Sequence, residues 1–202
     1  MSGPALVAAA LRLVYVVDTH AAADGPRVDA ALAHGVTALW LREPGATGRA
    51  LYEAAGSLLL RCRRLGGVLI VGDRADVAAA VGADGVQLGH RSPPARSVRP
   101  WYRGLLGVSC HTPAEVVAAG EAGADYVVVS PVFGVPDKGT PLGVDGLQRL
   151  AGLAQVPVVA LGGLHADNAG LVRGGPVAGL AVLRALRDAE DPAATARRLS
   201  GR

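Results

Sequence analysis

His111 stands just after the apolar run 105–109, in Ser109-Cys110-His111-Thr112. An imidazole there can donate or accept a proton near neutral pH, and it can equally cap a helix or brace a loop. Other groups suit an anion. Gly162-Gly163 ends the apolar run 156–161 and precedes helical text, so its amides can approach a phosphate; a tight turn needing small residues is the other reading. Lys138 is the only lysine among 20 basic residues and lies in the Gly- and Pro-rich stretch 132–143. Its ammonium could close over an anionic ligand or simply be solvated. Arg42 ends a further apolar run, and a guanidinium can fork onto phosphate oxygens. Ser109 and Ser130 offer hydroxyls; neither has a base-plus-orienter pattern beside it, so hydrogen bonding suits them better than nucleophilic attack. Asp73 is a thin Mg2+ site, because the next strand end, Gly89-His90-Arg91-Ser92, brings no second carboxylate. An internal ion-pair network suits Glu43 and Arg74 better than a ligand.

What could gather residues so far apart in sequence? Four short apolar runs, 36–41, 84–88, 125–129 and 177–183, each follow helical text that ends in a glycine: Gly35, Gly82, Gly123 and Gly174-Gly175. Glycine ends helices in the left-handed conformation without a Cβ penalty, and its recurrence every ~40–50 residues leaves room for two strand-helix units. Four more runs lie between them, at 13–17, 67–71, 105–109 and 156–161. They are continuous rather than alternating, as strands covered on both faces are. Helical text occupies 47–65, 74–81, 113–122, 145–153, 166–172 and 192–199, with Pro113 and Pro192 placed as first-turn prolines. Eight strand-helix repeats close most simply into a single (β/α)8 TIM barrel, an α/β fold, with an open doubly wound sheet as the alternative. We expect one domain over residues 1–202, with the barrel spanning about 11–190. In such a barrel the candidate residues all fall on strand C-termini, around one mouth.

Composition narrows the function. Half of the 202 residues are hydrophobic and 18% are charged, which excludes intrinsic disorder. Aromatics make up 3% and the net charge of +3 is scattered, so neither a stacking platform for single strands nor a phosphate-backbone footprint is present. Cys62 and Cys110 have no disulfide or zinc spacing. The apolar stretch 4–17 contains Arg12 and ends at Asp18 without a cleavage pattern, so it reads as a core element. These features lead us to expect a cytoplasmic protein with a small-molecule phosphate substrate, no nucleic-acid or membrane partner, and helices through which a homodimer could form.

The strand ends also match a family. Leu39-Trp-Leu-Arg-Glu43, Gly72-Asp-Arg-Ala-Asp-Val77, Gly82-Ala-Asp-Gly-Val-Gln-Leu-Gly89, Gly107-Val-Ser-Cys-His-Thr112, Gly123-Ala-Asp-Tyr126, Ser130-Pro-Val-Phe133 and Ala160-Leu-Gly-Gly163 occur in the order seen in the thiamine phosphate synthase and thiazole tautomerase superfamily. The resemblance runs from about residue 13 to 186. It implies a (β/α)8 barrel that binds a thiazole phosphate at its mouth. In the synthase branch, Mg2+ and cationic side chains neutralise a departing diphosphate while the thiazole nitrogen attacks the pyrimidine methylene. Of that pattern Arg42, Asp73, Ser109, Lys138 and Gly163 remain. Trp40 and Pro44 replace the branch's Gln and Lys, Gly72 its Asn, Ser92 its second magnesium aspartate, Val135 and Asp137 its loop hydroxyls, and Arg184 a serine.

The tautomerase branch resembles this chain in lacking those parts and in carrying Gln87 where synthases usually have His. The resemblance then implies that His111 shuttles a proton on a carboxythiazole phosphate while Gly162 and Gly163 hold the phosphate, helped by Lys138 or Arg184. On this basis the leading expectation is a thiazole tautomerase-like isomerase that needs no cofactor. The alternatives are a diverged, Mg2+-dependent thiamine phosphate synthase, a transferase, and a non-catalytic barrel that binds thiazole or thiamine phosphates.

Overall fold

A computed structural model describes residues 3–136, 138–173 and 175–201. Asp137 and Gly174 lie outside these residues. Eight parallel strands, β1 (Leu13–Val17), β2 (Ala38–Leu41), β3 (Val68–Gly72), β4 (Gly85–Leu88), β5 (Leu105–Cys110), β6 (Tyr126–Val129), β7 (Val158–Leu161) and β8 (Val177–Val182), close in sequence order, with β8 paired to β1. The open-sheet alternative is thereby excluded. The helices are α1 (Pro4–Ala10), α2 (Thr19–Ala23), α3 (Gly25–Ala33), α4 (Gly48–Leu65), α5 (Ala75–Val81), α6 (Ala95–Val98), α7 (Pro113–Glu121), α8 (Gly143–Leu153), α9 (Ala169–Val172), α10 (Arg184–Arg187) and α11 (Pro192–Ser200).

The period of two along each strand sorts side chains into two cores. Leu39, Leu41, Leu69, Val71, Val127 and Val129 point outward, where Leu51, Leu58, Leu147 and Leu150 of the helices cover them. Val14, Val16, Ala38, Trp40, Ile70, Tyr126, Val128, Val159 and Ala181 fill the barrel interior. Val7 and Leu11 join that inner set from α1, at the end where the strands begin. The floor of the barrel is therefore packed, and only the C-terminal end is free to hold a ligand.

Gly35, Gly82, Gly123 and Gly175 all have positive φ, between 64° and 133°, as the helix-ending role requires. Within the stretch 4–17 the expected strand 13–17 is present as β1, and the residues before it form a separate helix, α1, with Leu11 at its C-terminal end. A continuous apolar run cannot by periodicity tell a buried helix turn from a strand. The short helices α2, α3, α6 and α10 also lie in text without a clear apolar period, too short to carry one.

Candidate active site

A cavity of about 440 Å3 opens at the strand C-termini. It is lined by His111, Gly162, Gly163, Lys138, Arg42, Ser109, Ser130, Arg184 and Asp73, the whole set singled out in the sequence, and also by Trp40, Gln87, His90 and Arg91.

The β7–β8 side is made of backbone. Gly162 (φ 109°) and Gly163 (φ 64°) turn the chain out of β7. A Cβ at Gly162 would lie 2.8 Å from Pro131 Cα, and one at Gly163 would lie 2.7 Å from Phe133 Cβ, so these glycines also admit the β6–α8 loop. The tight-turn and anion-binding readings are thus compatible. The amides of Gly163 and Leu164, and those of Arg184 and Ala185 after β8, donate to no described residue, and all four residues border the cavity. Asn168 Nδ2 donates to the Gly163 carbonyl at 2.9 Å and holds the turn.

His111 is fixed at both ends. Its amide donates to Glu115 Oε2 at 2.6 Å, the same oxygen that accepts from the Thr112 amide in the capping box of α7. Its Nδ1 lies 2.6 Å from the Ser130 carbonyl. A carbonyl can only accept, so Nδ1 carries the proton and Nε2 of the neutral ring is left as an acceptor. Ser109 accepts a hydrogen bond from Gln87 Nε2 at 3.1 Å. Burial pushes the neighbouring Cys110 thiol up to about 12, which leaves it protonated and inert as a nucleophile. Lys138 sits on the loop that leaves β6, whose base is closed by Leu142 and Gly143 amides donating to Pro131 and Val132 carbonyls at 2.9 Å.

The β2–β4 side is made of side chains. The Trp40 indole is 5% exposed and crosses over Gly72; a Cβ there would stand 3.0 Å from Trp40 Nε1. The two departures at positions 40 and 72 are therefore one change, since the larger ring needs the smaller neighbour. Trp40 narrows the mouth from within. Asp73 adopts a left-handed backbone (φ 61°), and its Oδ1 accepts from the Ser92 hydroxyl at 2.6 Å and the Gly89 amide at 3.2 Å.

Asp73 is the only carboxylate among the described cavity residues, and its Oδ1 already accepts two hydrogen bonds. No group of three His, Cys, Asp or Glu among the described residues could hold a metal. A resident Mg2+ does not fit this arrangement. The ion-pair network expected for Glu43 and Arg74 is not formed either. Glu43 accepts from the Thr19 hydroxyl at 3.3 Å, while Arg74 forks onto Asp76 at 2.8 and 2.5 Å on the surface. Both side chains lie on the helix side of their turns, away from the cavity lining.

The cavity is rich in positive charge. Arg42, Arg91, Lys138 and Arg184 border it with no ion-pair partner among the described residues, whereas Arg187 is turned to Asp188 at 2.7 Å. His90 and Arg91 were not picked out by sequence reasoning, which scored their loop only for carboxylates. A search of the strand-end loops for unpaired cations would have found Arg91.

Comparison with known proteins agrees with this architecture. A family described as thiamine monophosphate synthase matches residues 13–186. The thiamine-phosphate synthase of Chloroflexus aurantiacus is 40% identical over 176 residues, covering 85% of this chain and 82% of that protein. That of Moorella thermoacetica is 36% identical over 195 residues, covering 93% of each. Among solved structures, the thiamine phosphate pyrophosphorylase of Pyrococcus furiosus superposes with a TM-score of 0.87 at 33% identity, covering 96% of this chain and 95% of that one. These relatives favour the synthase alternative over the tautomerase that the strand-end departures had suggested. No described helix is long and apolar enough to cross a membrane. With its closed eight-stranded barrel and a match that spans nearly its whole length, the chain belongs to the thiamine monophosphate synthase family of thiamine-biosynthesis enzymes.

Proposed function

We propose that the chain is a thiamine-phosphate synthase, a transferase that joins a pyrimidine diphosphate to a thiazole phosphate. The observation that carries this reading is a cavity with two separate anion-binding sides. Free amides at Gly163, Leu164, Arg184 and Ala185 follow β7 and β8, whereas the cation Arg42 follows β2, beyond β1, and Arg91 follows β4, opposite β8 in the ring. A carboxythiazole phosphate would bring only a ring carboxylate to the second side, whereas a diphosphate brings several negative oxygens there, a charge that two arginines match better.

In this reading the amides of β7–β8 hold the thiazole phosphate, with Lys138 and Arg184 adding charge. Arg42, Ser109 and Ser130 bind the pyrimidine diphosphate. The bond between the pyrimidine methylene and the diphosphate oxygen breaks, with its electron pair leaving on the diphosphate. The lone pair of the thiazole nitrogen forms the new carbon–nitrogen bond. Cations lining the cavity stabilise the charge that develops on the leaving oxygen. A magnesium ion would find here one carboxylate, Asp73, whose Oδ1 is already engaged.

No proton moves in bond making. His111, held to the Ser130 carbonyl, positions the β6–α8 loop and the substrate-facing Ser130. The test is to supply both substrates and measure thiamine phosphate and diphosphate. Formation of both at equal rates supports the reading; conversion of a carboxythiazole phosphate tautomer without diphosphate release would refute it. His111→Asn is expected to slow product formation by about tenfold, whereas loss of a true proton-transfer group would cost about 100-fold or more.

A further inference from the structure

We propose that Arg91 takes the place of a divalent cation at the diphosphate side of the cavity, so that the guanidinium groups of Arg91 and Arg42 neutralise the leaving group without a bound metal. The inference rests on the synthase reading and deepens it. Arg91 stands in the β4–α6 loop beside Ser92, whose hydroxyl closes on Asp73 Oδ1. Where a second carboxylate would be needed to hold a metal, the chain presents a neutral hydroxyl and a positive side chain.

Asp73 serves another purpose in this setting. Bonded to the Ser92 hydroxyl and the Gly89 amide, it fastens the end of β3 to the β4–α6 loop and so positions Arg91. Ser92 Oγ also accepts from the Gly89 amide at 2.9 Å, so the loop is tied at three points. A metal ion entering here would meet Arg91 and Arg42 with one carboxylate to offset them. A diphosphate meets the same groups with the opposite sign. The flat fork of an arginine matches two oxygens of a phosphoanhydride at once, and its charge persists at any physiological pH.

Inorganic pyrophosphate is the probe, titrated calorimetrically into the whole chain in EDTA and again in Mg2+. The expected result is binding in EDTA that Mg2+ alters by less than about threefold. Arg91→Gln should weaken it by about tenfold or more without lowering the unfolding temperature, because Arg91 is exposed, and Arg91→Lys should recover part of the loss. Asp73→Asn keeps the Oδ1 acceptor and tolerates the left-handed backbone, so removing its charge should leave pyrophosphate binding equal or tighter.

Binding that requires Mg2+, an unchanged Arg91→Gln, or a tenfold loss in Asp73→Asn would each overturn the proposal. Turnover of the two substrates in the same buffers separates the two claims. Product at comparable rates in EDTA and Mg2+ supports both. Product only in Mg2+ overturns the metal-free leaving-group site and keeps the synthase reading. Pyrophosphate binding without product in either buffer overturns the synthase reading and, with it, the role given to Arg91.

Discussion

The two sides of the cavity are built from different material. On β7 and β8 the anion would meet main-chain amides, placed by two glycines that the neighbouring loop leaves no room to replace. On β2 to β4 it would meet side chains: Trp40, Arg42 and Arg91, the last on a loop braced by Asp73 and Ser92. A site made of backbone survives a change of residue, because the amide stays when the side chain goes. Thus Arg184 in place of a serine keeps its N–H. A site made of side chains can change sign in a single substitution, and the departures from the synthase pattern gather mostly on that side and on the Lys138 loop.

This contrast can be broken at several points. Trp40→Ala should have the largest effect, about 3–5 kcal/mol of stability, since a buried ring between β2 and β3 leaves a hole that the rigid barrel cannot close. Urea denaturation measures it, and a loss under about 1 kcal/mol would show that the indole merely rests on the mouth. Gly163→Ala should cost about 2 kcal/mol, from left-handed strain and the clash with Phe133 Cβ, and should weaken thiazole phosphate binding as the turn is displaced.

Arg184→Ser sharpens the comparison from the other direction. Because its amide remains, the KM for thiazole phosphate should rise by less than about fivefold; a rise of 100-fold would mean that the guanidinium, not the backbone, holds the ester. The smallest effect lies outside both sides, at Asp29. Burial raises its pKa, but hydrogen bonds from Arg61 and Arg64 outweigh this and hold the carboxyl below its ordinary value. A depressed pKa adds stability above the unfolded value of about 4, and that stability is lost as pH falls through the folded value. Denaturation midpoints of Asp29→Asn and the parent should therefore converge below about pH 4, with a gap of no more than ~1 kcal/mol at neutral pH.

Much of this was legible in the sequence because the signals were local. Helix-ending glycines with positive φ and continuous apolar strands specify a βα repeat, and the repeat places every polar strand end on one rim. What escaped was pairing. That Gly72 makes room for Trp40, that Ser92 bonds Asp73, and that Glu43 and Arg74 do not form a network depend on which neighbours meet across strands. Arg91 escaped for a different reason: its strand-end loop was legible, but carboxylates and not cations were sought there, and only the ties to Asp73 and Gly89 show how that loop is held.

The packed floor made by α1 and the inner side chains has a kinetic consequence. A basin with a single opening makes order of entry a matter of geometry. In the proposed transfer both reactants would enter, and the joined product and the freed diphosphate would leave, by that one door.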